Sequence, residues 1–209
     1  MKINNLDIVF ASTTSAFEVL NTVNGHYLTG ISNREAAFEA VKKILSRIYK
    51  TAEILSLNPS ALKAIKELIR KLRGERAVAK KAQGGNAGDG ASKAVYRSVS
   101  QLSFDQRIEH FSELVALLQG LPEYAPNEAD LTVAHLGALL ENMRATNLAV
   151  VDAHILLTNA RNSRNHLLYA AETGLVDVAL DVKKYILAAF GAGSDEYEEV
   201  KKITFRKNI

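Results

Sequence analysis

The side chains that could do chemistry are few and poorly spaced for it. The five histidines, His26, His110, His135, His154 and His166, are scattered along the chain. A helical di-metal carboxylate site needs Glu-x-x-His pairs projecting inward, and no histidine here follows a glutamate by three residues. No two histidines stand three or four apart, so no helix face offers paired imidazoles to zinc. There is no cysteine, which removes thiolate nucleophiles, thiolate zinc sites, iron–sulfur clusters and a disulfide framework. No Gly-x-Ser-x-Gly elbow presents a serine nucleophile. The glycine-rich run Gly84–Gly90 is not a phosphate loop: that loop ends Gly-Lys-Ser/Thr, whereas Gly90 is followed by Ala91-Ser92-Lys93. The expectation is a non-enzymatic protein with no catalytic residue, cofactor or metal.

Two constellations remain. The first is basic. Over Lys63–Lys81 eight basic residues stand against Glu67 and Glu75, in a chain whose net charge is only +3. Lys63, Lys66, Arg70 and Arg73 run down the side opposite Leu62, Ile65 and Ile69. Such a face can follow a phosphate backbone. No aromatic residue is interleaved on it for base stacking. The plainer reading is a solvated face that pairs with acids such as Glu196, Glu198 and Glu199. Nucleic acid is the alternative, unfavoured partner.

The second constellation is polar. A three–four stripe runs Leu136, Leu140, Met143, Asn147, Val150, His154, Leu157, Arg161, Arg164, Leu168. Asn147, His154 and Arg161 recur every seventh residue on it. Polar layers in a helical seam are costly unless paired or wet. Three readings stay open: a pocket for a small anionic ligand with Arg161 as anchor, a register-fixing seam of cross-helix hydrogen bonds, or a stripe that emerges into solvent while Leu148, Val151 and Ile155 form the buried face.

The elements that must position these residues are helices. The chain has 209 residues, 47% hydrophobic and 23% charged, with 12 Gly and 3 Pro. That supports a packed core and long elements. Residues 1–31 are ambiguous. The pattern predicts a helix over 13–24, with a turn at Asn24-Gly25 and Gly30. Ser32 and Glu35 read as a capping box that opens a helix along Phe38, Val41, Leu45, Ile48, Ala52 and Leu55. Asn58-Pro59 starts a second helix, and Ser103 with Gln106 caps a third, stopped by Gly120-Leu121-Pro122. Pro126-Asn127 restarts the chain, and no breaker follows before Gly174. This predicts one very long helix near 128–172, about 45 residues and roughly 65 Å. A further helix reaches Phe190, Ser194 caps a last short one, and Ile203–Arg206 reads as extended.

The glycine run divides the chain into an N-terminal helical half, 1–83, a flexible linker, 84–91, and a C-terminal helical half, 92–209, within one bundle. The fold expected is all-α, an elongated antiparallel helical bundle. Met1–Ala16 holds one lysine and only a short apolar patch, unlike a secretory signal, and no stretch suits a membrane span. The cytoplasm is the expected location. Ile44, Ile54, Leu148, Val151 and Ile155 lie off the main stripes, which implies apolar surface to spare and a homodimer or higher.

A resemblance adds to this. Ser103-Phe104-Asp105, Tyr124–Ala129, Asn159-Ala160-Arg161 with Arg164-Asn165, Thr173–Asp177, Phe190-Gly191, Ser194, Tyr197 and Phe205-Arg206 together resemble a family of uncharacterised bacterial helical proteins. The match covers roughly 65–209. It implies an all-helical fold and brings no activity, cofactor or partner. The reading is a structural or protein-interaction bundle, binding itself or another protein. Nucleic-acid association through 63–81 is the alternative, and a small anionic ligand at the polar layer is the second alternative.

Overall fold

A computed structural model of the chain describes residues 2–74 and 103–205, with side chains from residue 5. The linker 84–91, the stretch 92–102 and the basic residues Arg76, Lys80 and Lys81 lie outside the described residues, as does Arg206. Among the described residues the fold is all-α, with helices α1 (Lys2–Ile54), α2 (Pro59–Arg73), α3 (Phe104–Gln119), α4 (Val133–Tyr169), α5 (Leu175–Phe190) and α6 (Asp195–Lys201), and a short 3-10 turn over Ala129–Leu131. No described residue is in a strand, so Ile203–Phe205 follow α6 without regular structure.

Three helix starts are those the sequence signals. Asn58 accepts from the Ala61 amide at 2.8 Å with Pro59 at the first helical position. Ser103 accepts from the Gln106 amide at 3.2 Å, and Ser194 from the Tyr197 amide at 3.2 Å. Each side chain satisfies an amide that the first turn leaves without a partner.

The first thirty residues correct the sequence reading. α1 is one helix of 53 residues that runs through Asn24-Gly25 and Gly30 without a turn, so Ser32 and Glu35 are interior to it and cap nothing. Packing overrides propensity here. Leu6, Val9, Thr13, Ala16, Leu20, Val23, Tyr27 and Gly30 form a three–four stripe that the Ser32 reading cuts short. Gly30 serves this seam: a Cβ there would lie 3.4 Å from Val150 Cγ2, so the missing side chain admits a close neighbour.

The long helix is also shorter than expected, 37 residues. Thr132 supplies its N-cap, with Oγ1 accepting from the His135 amide at 3.3 Å. At the other end the helix stops before Gly174, where a Cβ would lie 2.6 Å from the Ala170 amide nitrogen and 2.7 Å from its carbonyl oxygen. The backbone folds back too tightly there for any side chain.

The described chain forms two compact units, Ser32–Leu148 and Met1–Ile31 with Ala149–Ile209. They differ from the halves expected on either side of the glycine run, because α1 and α4 each supply residues to both units. In the 32–148 unit, Leu45 and Ile48 of α1, Ile65 of α2, Phe111 and Leu114 of α3 and Leu136 of α4 are all but fully buried in one core. Ile44, expected to lie uncovered, packs against that core. Arg47 makes a two-point ion pair with Asp130. Buried Tyr124 donates its hydroxyl to the Leu131 carbonyl at 3.2 Å, which ties down the loop before α4.

The second unit is thinner. Among its described residues Thr13, Val150, Leu157, Gly174 and Val176 are buried. Thr13 keeps its hydroxyl satisfied on the Val9 carbonyl at 2.7 Å. Lys183 Nζ donates to the carbonyls of Lys201 and Ile203, each at 3.0 Å. A cation thus closes the end of α6, where the helix dipole favours one.

Two predictions follow from the backbone and the loop. Gly25 and Gly137 are helical, and a Cβ at either would meet nothing within 4 Å. Gly25→Ala and Gly137→Ala should each raise unfolding stability by about 0.5–1 kcal/mol, and Gly174→Ala should lower it by about 1–3 kcal/mol, measured by urea denaturation. Burial pushes the Tyr124 hydroxyl up from 10.0 to about 12. The folded state therefore holds a proton that the unfolded state releases first. Stability should be whole below pH 10 and fall as pH rises from there towards 12, and Tyr124→Phe should remove that slope.

Candidate functional site

The polar layer is where the sequence placed its most unusual residues. The structure gives each a different surrounding. Asn147 belongs to the 32–148 unit and is half-buried. Its Oδ1 accepts from Arg34 Nη1 at 3.3 Å, and its Nδ2 donates to Asp105 Oδ1 at 2.8 Å. Arg34 also lies over the Phe104 ring at 3.8 Å, and that ring meets Phe38 edge-on at 4.8 Å. Asn147 thus links α1, α4 and the first turn of α3. The amide suits the task because it accepts from a cation on one side and donates to a carboxylate on the other.

His154 and Arg161 belong to the other unit and are exposed. The His154 ring lies tilted against Tyr27 at 5.6 Å. The stripe that carries them does not hand over to Leu148, Val151 and Ile155: Val150 and Leu157 are buried on it, whereas those three are exposed.

On α2, Lys63 and Lys66 are exposed and Arg70 is half-buried. Arg70 pairs with Glu67 of its own helix at 3.2 Å, and Arg73 donates to Ser46 on α1. Among the described residues no group of three or more His, Asp or Glu could hold a metal, and no helix is long and apolar enough to cross a membrane. A cavity of about 150 Å³ lies between Phe38, Leu45, Leu72, Arg107 and Met143, below the several hundred Å³ of ordinary ligand pockets.

A further feature lies in the unit of 1–31 and 149–209. Gly30 faces Val150, Tyr27 faces His154, and the Arg164 guanidinium stands 5.7 Å from the Phe17 ring. Numbers fall on α1 as they rise on α4, so the two segments are antiparallel. One residue past each seam position runs a second three–four stripe. On α1 it is Phe10, Thr14, Phe17, Asn21, Asn24 and Leu28; on α4 it is Val151, Ile155, Thr158, Asn162, Asn165 and Tyr169. In an antiparallel pair of right-handed helices, a step of one residue turns both stripes towards the same side. An open groove of about 590 Å³ lined by Phe17, Arg164, Asn165, Leu168 and Tyr169 joins them there.

Neither stripe holds a charged residue between these bounds, but the Arg164 guanidinium enters the groove between them and donates to Asn165 Oδ1 at 2.7 Å, and the apolar side chains of the face are uncovered. Phe10 is 61% exposed, Leu28 57%, Ile155 52% and Val151 48%. The sequence reading found Leu148, Val151 and Ile155 and missed Phe10, Phe17 and Leu28. The signal was present: residues 5–31 hold two charged side chains, Asp7 and Glu18, whereas residues 32–54 of the same helix hold eight. No protein-family model, curated protein or solved structure matches the chain.

Asn147→Ala should cost about 1–2 kcal/mol, because it strips a half-buried cation and a carboxylate of a shared partner. Arg161→Ala, on the same stripe but exposed, should change stability by less than about 0.5 kcal/mol. Equal losses for the two variants in urea denaturation would refute the distinction between them.

Proposed function

We propose that this chain is a non-enzymatic, cytoplasmic helical module that docks protein, and that its docking surface is the face that carries Phe10, Phe17, Leu28, Val151 and Ile155. One observation carries the reading: two adjacent helices expose Phe10, Phe17, Leu28, Val151 and Ile155 side by side, on a stretch of α1 whose charged residues are Asp7 and Glu18. A helix face left to solvent is ordinarily rich in charge. Large apolar side chains exposed together in this way support a surface that another molecule covers. The basic stripe of α2 and the polar layer of α4 give less support to their alternatives. Arg70, Arg73 and Asn147 are engaged with neighbours inside the fold, and His154 and Arg161 stand on an exposed stretch of helix.

The test is a photo-cross-linking residue placed at Asn162 of the full chain in its host, with the same residue at exposed Lys43 as control. Protein adducts from position 162 and none from position 43 are expected. Absence of adducts at 162 would overturn the proposal. So would steeply salt-dependent retardation of a duplex probe that Lys63→Glu with Lys66→Glu abolishes, because that result assigns the partner to nucleic acid.

A further inference from the structure

We infer that the cavity between Phe38, Leu45, Leu72, Arg107 and Met143 binds a small monocarboxylate with a short hydrocarbon tail. The site belongs to the 32–148 unit, so it is independent of the docking reading, whose residues lie in the other unit. Three observations lead to it.

The first is the Arg107 side chain. It is half-buried, and its Nε is closed off from solvent with no hydrogen-bond partner among the described residues. A buried donor left without an acceptor is costly, and more so when it belongs to a cation. A carboxylate is the group that a guanidinium fork matches, with Nε and one Nη donating to its two oxygens.

The second is charge. Among the described residues that line the cavity, Lys42, Arg73 and Arg107 are cations and none is an acid. Lys42 and Arg73 are exposed, which places the mouth of the cavity on their side. Lys42 Nζ donates to Glu39 Oε1 at 3.0 Å, within α1 and off the cavity wall. An ammonium carries three donors, so Lys42 can hold Glu39 and still meet an anion. Arg73 donates to Ser46 Oγ, which keeps its positive charge beside α1.

The third is the rest of the wall. Phe38, Val41, Leu45, Leu72 and Met143 are buried and offer no hydrogen-bond donor. An inorganic phosphate needs donors around all its oxygens, and a carbon wall would leave several of them unmet. A carboxylate with an apolar tail suits both parts of the cavity: its charged end meets the cations, and its carbons meet the wall. The volume is about 150 Å³. An apolar cavity of about that size holds a benzene-sized guest, so the tail has about three to five carbons.

The test uses the full chain and sodium pentanoate. The chain has two methionines, Met1 and Met143, so isotopic labelling of methionine methyls gives one magnetic-resonance signal inside the site and one outside it. At low ionic strength pentanoate should shift the Met143 signal saturably, with a Kd on the order of 1 mM, and leave Met1 in place. Pentan-1-ol and inorganic phosphate each supply half of the chemistry and should bind at least about tenfold more weakly. Arg107→Gln should weaken pentanoate binding by about tenfold or more, and Lys42→Gln by about two- to fivefold. Absence of a saturable shift at Met143 would overturn the inference. So would phosphate or pentan-1-ol binding as tightly as pentanoate, or undiminished pentanoate binding by Arg107→Gln. Should that variant not fold, exposed Lys42→Gln and the comparison of the three small molecules decide the matter on folded protein.

Discussion

The seam formed by α1 and α4 is the constraint on which the rest of the molecule depends. Each helix carries one stripe at intervals of three and four, and within each unit the two stripes meet. In the 32–148 unit this places Phe38, Val41, Leu45 and Ile48 opposite α4 residues such as Leu136, Leu140 and Met143, all in one core. α2 and α3 then close that core from the side with Ile65, Phe111 and Leu114. The caps at Asn58 and Ser103 set where these two helices begin, and the Arg34–Asn147–Asp105 chain fixes the first turn of α3 against the seam. Hydrophobic burial supplies the larger share of stability, and the hydrogen-bonded chain supplies a single register.

The same seam has a different consequence in the other unit. There α1 and α4 bring one stripe each, and the other described contributors are α5 and the seven-residue α6. Buried side chains are correspondingly few, and α5 keeps Tyr185 and Phe190 largely exposed. Two helices meeting along one stripe bury about a third of each circumference. What lies beyond meets water, through charged or polar side chains, or is covered by something else. Residues 5–31 combine solvated serines, threonines and asparagines with the exposed rings of Phe10 and Phe17, and it is those rings that water serves poorly.

Much of this was legible in the sequence because local chemistry decides it. An asparagine before a proline, or a serine three residues before a paired amide, has one inexpensive use in a helical chain, and α2, α3 and α6 begin where those signals stand. The inner stripe of α4 was legible for the same reason: its period repeats without interruption. What could not be read was α1 before Ser32. Asn24-Gly25 is a strong turn signal taken alone, and only the partner helix outweighs it. Gly30 reads as a breaker in sequence and is a contact in the fold, because the identity of its neighbour, Val150, is 120 positions away. Half of the candidate face followed the same fate. Its α4 side was visible as surplus apolar residues, and its α1 side was hidden by the assumed turn.

The composition of that face bears on why polar residues occur in both stripes. An all-leucine second stripe would bind more tightly and less selectively, since apolar side chains accept many registers. Asparagine and threonine at intervals lower the gain from burial and penalise any pairing that leaves an amide without a partner. The seam itself shows the working version of this device at Asn147, where both ends of the amide are engaged. On the face proposed to dock, Asn21 and Asn162 are exposed amides and Asn24 is half-buried, in the same three–four pattern. The physical logic that fixes α3 inside one unit would, one residue further round the helix, penalise any docked neighbour that left those amides unpaired.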